Sequence, residues 1–224
     1  MVNPAYLVFR VYPETDNNEV DMYFNFIMKT VSSSGAEILG SVKSTDIGVF
    51  EIGSIPFSTL ILKWVSGSVA AEDYWNSKEH KNIFDKLTIN CRNDIIAFIA
   101  DGLPDDGLVN DPIPTIASYE SRIFKFNENK TLLVIEGKVS DQKTIEKYRE
   151  ILFEIMIEQK SYYIVLTSSE GINLLHGKWN EDIFAISKWQ SMQSINEFWY
   201  CDKYQNVAIP IRTGAGNFSV TGFN

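Results

Sequence analysis

Tyr6-Leu-Val-Phe-Arg-Val11 is a short apolar run near the start of the chain, and Thr131-Leu-Leu-Val-Ile-Glu136 repeats it past the midpoint. Runs of this length, rich in Leu, Val and Ile, read as strands. The residues just after each run decide the fold. Val20, Tyr23, Phe24, Ile27, Met28 and Val31 fall at helical spacing on one face, and Ile145, Tyr148, Leu152, Ile155 and Met156 form the same stripe in the second half. Asp16 and Asp141 precede the two stripes, where negative charge suits a helix N-terminus.

The likeness extends along both halves. Adding 125 to Asp16, Tyr23 and Trp64 gives Asp141, Tyr148 and Trp189, the same residue types. An offset of 124 pairs Gly53 with Gly177 and Trp75 with Trp199. An offset of 120 lays Phe98-Ile-Ala-Asp-Gly102 over Phe218-Ser-Val-Thr-Gly222. Small drifts of offset at turns are what loop insertions and deletions produce, so the chain reads as an internal duplication.

Each copy continues in the same order. Ala36-Glu-Ile-Leu39 runs on to Val49-Phe-Glu-Ile52, matching Tyr162-Tyr-Ile-Val-Leu166 and Ile172-Asn-Leu-Leu175. A third strand ends in Trp64 or Trp189. A second helix carries Ala71, Tyr74 and Trp75, or Ile195, Phe198 and Trp199, and a last strand covers Ile95–Ala100 or Asn217–Val220. The expected organisation is α+β: one βαββαβ repeat over residues 1–100, a linker over 101–130, and a second repeat over 131–224. The linker is rich in Asp, Gly and Pro, which break regular structure, although Tyr119–Phe126 alternates enough for an extra strand. Sheet faces carrying both Leu7, Phe9, Val11 and Tyr6, Val8 are apolar on two sides and need two covers. Two such sheets in one chain are expected to face each other as an intramolecular pseudo-dimer.

Composition narrows the function. With 45% hydrophobic and 13% aromatic residues the 224-residue chain has ample material for packed cores. A net charge of −9 without a basic run argues against nucleic acid. The longest tight apolar run, Ile95–Ala100, is too short for a bilayer span, so no membrane partner is expected. The N-terminus reads as the first strand of a mature protein. Cys91 and Cys201 make no CxxC pair; buried free thiols and a cytoplasmic location are expected.

The Tyr-bearing first helix, the glycine before the third strand and Tyr-Trp-Asn-Ser-Lys-Glu-His80 resemble the domain-of-unknown-function family 1330, of the dimeric α+β barrel, ferredoxin-like superfamily. Copy two carries the fuller match: Asp141, Tyr148, Gly177, Trp179, Phe198-Trp199, Tyr204 and Arg212 stand at family-like positions. In copy one His80 replaces the tyrosine matched by Tyr204, and no arginine stands at the spacing of Arg212. Members of the family pair two chains into a barrel. The resemblance therefore implies two ferredoxin-like repeats forming an intramolecular dimeric α+β barrel, a monomer with an internal pseudo-dimer or a homodimer of such chains.

His176, Tyr148 and Arg212 are the candidate catalytic residues, and Tyr204, Trp199, His80 and Tyr23 the candidate ligand contacts. Each has a plainer reading. His176, in a strand-end turn, is a general base or a hydrogen-bonded structural histidine. His80, on the second helix, is a pocket residue or a surface or capping residue. Tyr148 lies on the apolar stripe and packs in a core or shows its hydroxyl to a ligand. Arg212 holds a carboxylate or enolate oxygen, or a surface salt bridge. Trp199, like Trp75, is a core residue or a ligand platform. Two histidines without HxH, HExxH or cysteine partners give no metal site. Gly214-Ala-Gly216 leads into a strand rather than a helix, so no nucleotide cofactor is expected. A small-molecule partner is expected. The residues leave open a cofactor-independent enzyme acting on a small apolar or aromatic acid, a ligand sensor, and an interaction scaffold.

Overall fold

The computed structural model describes residues 2–103 and 131–224. The strand expected over Tyr119–Phe126 lies outside them. Elements in chain order are β1 (Ala5–Val11), α1 (Asn17–Thr30), β2 (Ala36–Val42), β3 (Gly48–Val49), β4 (Ser58–Trp64), α2 (Ser68–Asn76), α3 (Lys78–Phe84), α4 (Ile89–Asn93) and β5 (Ile95–Asp101). The second series is β6 (Thr131–Val139), α5 (Gln142–Glu158), β7 (Tyr162–Ser168), β8 (Ile172–His176), β9 (Ile183–Trp189), α6 (Met192–Trp199), α7 (Ile209–Thr213) and β10 (Gly216–Phe223).

The two antiparallel sheets run β2-β4-β1-β5-β8 and β3-β10-β6-β9-β7. Each repeat contributes the four-strand order of a ferredoxin-like βαββαβ module, and each sheet gains a fifth strand from the opposite repeat. β8 pairs with β5, and β3 pairs with β10. The hairpin regions read as one continuing strand thus divide between two sheets: β2 stays at home and β3 leaves, β7 stays and β8 leaves. An edge strand presents unpaired N–H and C=O groups, and a strand supplied by the other repeat satisfies them. The compact units are accordingly not contiguous in sequence. Among the described residues the first comprises 2–47, 55–102 and 170–180, and the second comprises 48–54, 103, 131–169 and 181–224.

Local chemistry sets the elements. The Asp16 carboxylate accepts from the N–H groups of Asn18 and Glu19 at 2.7 and 3.4 Å, capping α1. Asp141 accepts from Thr144 N and Oγ1 at 3.2 and 2.6 Å, capping α5. These bonds also hold the Asp141 carboxyl below its usual pKa. In the first unit Leu7, Phe9 and Val11 of β1 pack with Tyr23, Phe24 and Ile27 of α1. In the second, Leu133 and Ile135 pack with Tyr148, Leu152 and Ile155. Burying each such side chain contributes about 1.5–3 kcal/mol. Every residue of β1 is buried, Tyr6, Val8 and Arg10 included, so both faces of that strand are covered.

The two halves match in details. Trp64 pairs with Ala5 and Trp189 with Thr131, and both indoles are fully buried. A register shift interrupts β2 between Ile38 and Gly40 and β7 between Tyr163 and Val165, the same bulge in each copy. The last strands, however, align differently from the sequence overlay. Ile99 stands opposite Leu7 and Gly222 opposite Leu133, so Gly222 corresponds to Ile99 and not to Gly102. The shared Phe and Gly letters of the two last strands misled the overlay.

Candidate functional site

Tyr23 and Tyr148 occupy equivalent places on α1 and α5, and each hydroxyl meets a polar side chain from beyond the second helix of its unit. In the first unit Tyr23 Oη lies 2.7 Å from His80 Nε2, and His80 Nδ1 lies 2.9 Å from the carbonyl oxygen of Trp75. A carbonyl can only accept, so Nδ1 carries the proton and Nε2 accepts from Tyr23. Rings of Phe9, Tyr74, Trp75 and Phe84 enclose the imidazole, which is 1% exposed. Burial drives its pKa down to about 4. His80 is a neutral core residue on α3, whose N-cap is Ser77.

In the second unit Tyr204 replaces that histidine, its hydroxyl 3.0 Å from Tyr148 Oη. Tyr204 begins a π-helical turn, Tyr204–Ala208, that runs into α7. Pro210 has no N–H to return to this turn, which suits the wider winding. The turn brings Arg212 inward: its side chain is only 5% exposed and is ion-paired with Glu51. The guanidinium carbon stands 5.1 Å from the Phe218 ring centroid, 5.8 Å from Trp199 and 5.9 Å from Tyr148. Burial works against its charge, but the Tyr148, Tyr204 and Glu51 oxygens outweigh it and hold the pKa above the ordinary arginine value. Burial likewise raises the pKa of Tyr148 and Tyr204, so both phenols stay neutral and act through their O–H groups.

A cavity of about 290 Å³ opens beside this group, between α5 and the sheet of the second unit. Ile135, Ile145, Leu152, Leu166, Ala185 and Phe218 supply its apolar wall, with Tyr148, Tyr163 and Arg212 as buried polar groups. Gln142, Thr167 and Ser168 are more exposed and mark its polar rim. The charged lining residues are Arg149 and Arg212, and no carboxylate lines it. An apolar cavity with a few convergent donors is the usual form of a small-molecule site.

The structure gathers Tyr148, Arg212, Tyr204 and Trp199 in the second unit and places His176, His80 and Tyr23 in the first. His176 Nε2 donates to the carbonyl of Arg92 at 2.8 Å, and its ring lies 5.0 Å from Phe84. It is a hydrogen-bonded histidine of the first unit and does not join Tyr148 and Arg212. Sequence reading missed Glu51, Arg149 and Tyr163. Glu51 had a signal: the 125-residue offset sets it opposite His176. Glu51 and His176 each come from a hairpin region and sit in the unit that holds the other repeat's helices. Arg149 and Tyr163 stand beside residues already singled out, and only the cavity distinguishes them.

Among the described residues no three His, Cys, Asp or Glu side chains converge as a metal site, and no helix is long and apolar enough to cross a membrane. Both cysteines are free thiols; burial pushes the Cys91 pKa up to about 11.

Solved structures resemble the chain at low identity. A candidate monooxygenase from Fusobacterium nucleatum subsp. nucleatum matches with a TM-score of 0.52 and 10% identity, over 98% of this chain and 92% of that one. A candidate monooxygenase from Lactobacillus acidophilus NCFM matches at 0.47 and 9%, over 98% and 93% of the two chains. Chlorite dismutase from Candidatus Nitrospira defluvii, in complex with imidazole, matches at 0.47 and 9%, over 97% and 90%. At such identities a likeness speaks to fold alone, and the first of these agrees with an α+β chain of two ferredoxin-like repeats. No curated protein matches the chain. Residues 130–221, the repeat that holds Tyr148, Tyr204, Arg212 and the cavity, match the family described as Domain of unknown function (DUF1330).

Proposed function

We propose that this chain is a small-molecule-binding protein whose second unit takes a small apolar or aromatic acid. The observation that carries this reading is the cavity: an apolar wall, neutral phenols, two arginines and no carboxylate among its lining residues, in a chain of net charge −9. Glu51 already balances Arg212, so Arg212 and Tyr148 together offer hydrogen bonds to an oxygen atom deep in the pocket. The side chains lining the pocket include no histidine or carboxylate to take up a proton, which favours a binder over an acid–base catalyst.

The test is thermal unfolding with a panel of benzoate, phenylacetate and 3-phenylpropanoate, followed by chromatography of the acid. Saturable stabilisation with the acid recovered intact is expected. Absence of stabilisation across the panel overturns the reading, and consumption of the acid replaces the binder with an enzyme. The exchange of β3 and β8 supports a second part of the proposal, that the duplicated repeats act as an internal pseudo-dimer in a monomeric chain. Sedimentation at the mass of two chains would count against it.

A further inference from the structure

We infer that Arg149 and Tyr163 form the carboxylate subsite of the second unit's cavity, leaving Arg212 and Tyr148 to hold an uncharged part of the ligand. The inference rests on the binding reading above and names which residues recognise the acid. Both side chains line the cavity, Arg149 from α5 and Tyr163 from β7. Arg149 is half-buried, and Tyr163 is 9% exposed beside the β7 bulge. Among the described residues neither the Arg149 guanidinium nor the Tyr163 hydroxyl has a hydrogen-bond or ion-pair partner. Both donors are therefore available to a ligand oxygen, and a hydrogen bond to a charged group is stronger than one between neutral groups.

Arg212 differs in this respect. Its charge is matched by Glu51, and a second carboxylate brought to it would meet Glu51's repulsion. Arg149 carries the one lining charge that is not matched. The two groups are also within each other's field: burial and then Tyr148 push the Tyr163 pKa far up, while Arg149 pulls it back. The phenol is therefore a neutral donor and the guanidinium a cation on the wall of one cavity, two groups able to serve the oxygens of a carboxylate. The ligand class these groups fit is an aromatic or branched apolar acid, its acid group at Arg149 and Tyr163.

The experiment measures binding of benzoate, phenylacetate and 3-phenylpropanoate, each beside its neutral amide, to the full chain by calorimetry. A charge-assisted hydrogen bond is worth about 1.5–3 kcal/mol, so at least one acid is expected to bind about 10- to 100-fold more tightly than its amide. Arg149→Gln should bring the acid down to the level of the amide while the amide keeps its affinity. Arg149→Lys should retain part of the difference, and Tyr163→Phe should weaken the acid more than the amide. Equal binding of acid and amide to the natural chain overturns the subsite but leaves the pocket as a binder. So does an Arg149→Gln loss that is the same for both. Failure of every acid and amide to bind overturns the subsite and the pocket reading together.

Discussion

The Tyr23 hydroxyl donates a 2.7 Å hydrogen bond to Nε2 of His80, whose other nitrogen is committed to the Trp75 carbonyl. Burial makes a second proton on this imidazole costly, and although the Trp75 carbonyl opposes the shift, its pKa falls from 6.5 to about 4 in the folded chain. Between these values the unfolded chain takes up a proton that the folded chain refuses. Stability therefore falls as pH drops from about 6.5 toward about 4, by up to about 1.4 kcal/mol per pH unit. Above that window this group contributes no slope. His80→Gln keeps a donor and an acceptor but cannot titrate. Urea midpoints measured at pH 7 and pH 5 should fall further for the natural chain than for the variant, and equal losses would discharge His80 from the role.

Much of this was legible in the sequence, because apolar periodicity and tryptophan spacing are set by burial and survive divergence. Trp64 and Trp189, and Tyr23 and Tyr148, do stand at equivalent places. What the sequence concealed was partnership between segments far apart in the chain. Nothing in Val49-Phe-Glu-Ile52 says that the strand leaves its own sheet, because an exchanged edge strand and a home strand share one alternation of side chains. For the same reason His176 read as a neighbour of Tyr148, whereas β8 carries it to the first unit, and Glu51 arrives near Arg212 in its stead.

The Arg212–Glu51 pair gives a second prediction. The Arg212 side chain is 5% exposed and that of Glu51 29%, so Glu51→Gln strands a buried guanidinium without its counter-ion. A loss of roughly 2–3 kcal/mol is expected from chemical unfolding of the second unit. Arg212→Met in the Glu51→Gln background should recover part of it, since the stranded charge is gone. A variant as stable as the natural chain would mean that Glu51 is dispensable to Arg212.

Gly53 and Gly177 are equivalent glycines that differ in surroundings. Both adopt left-handed backbone, with φ of 88° and 77°. A Cβ on Gly53 would meet nothing within 4 Å, whereas on Gly177 it would stand 2.5 Å from the Ile95 carbonyl oxygen and 3.1 Å from Ile96 Cα. Gly53→Ala should therefore cost only the conformational term, about 1–2 kcal/mol. Gly177→Ala adds a clash with backbone and should cost more, detaching β8 from β5. Hydrogen exchange of the Ala97–Ala100 amides would report it, and equal costs for the two substitutions would contradict the packing.

Ala185 offers a way to separate the cavity from the fold. It lies on β9, 2% exposed, paired with Ile135, and both residues line the cavity. The space beside it is about 290 Å³, so the two extra methyl groups of Ala185→Val have room. Valine is also favoured over alanine in a strand. Filling apolar space removes surface from water, and stability should be unchanged or higher by up to about 1 kcal/mol. The same methyl groups occupy the wall on which an aromatic ring would lie, so phenylacetate affinity should fall about tenfold or more. A variant that unfolds more easily would show that the wall has no room to fill. One that keeps both stability and affinity would show that the ligand does not lie against β9.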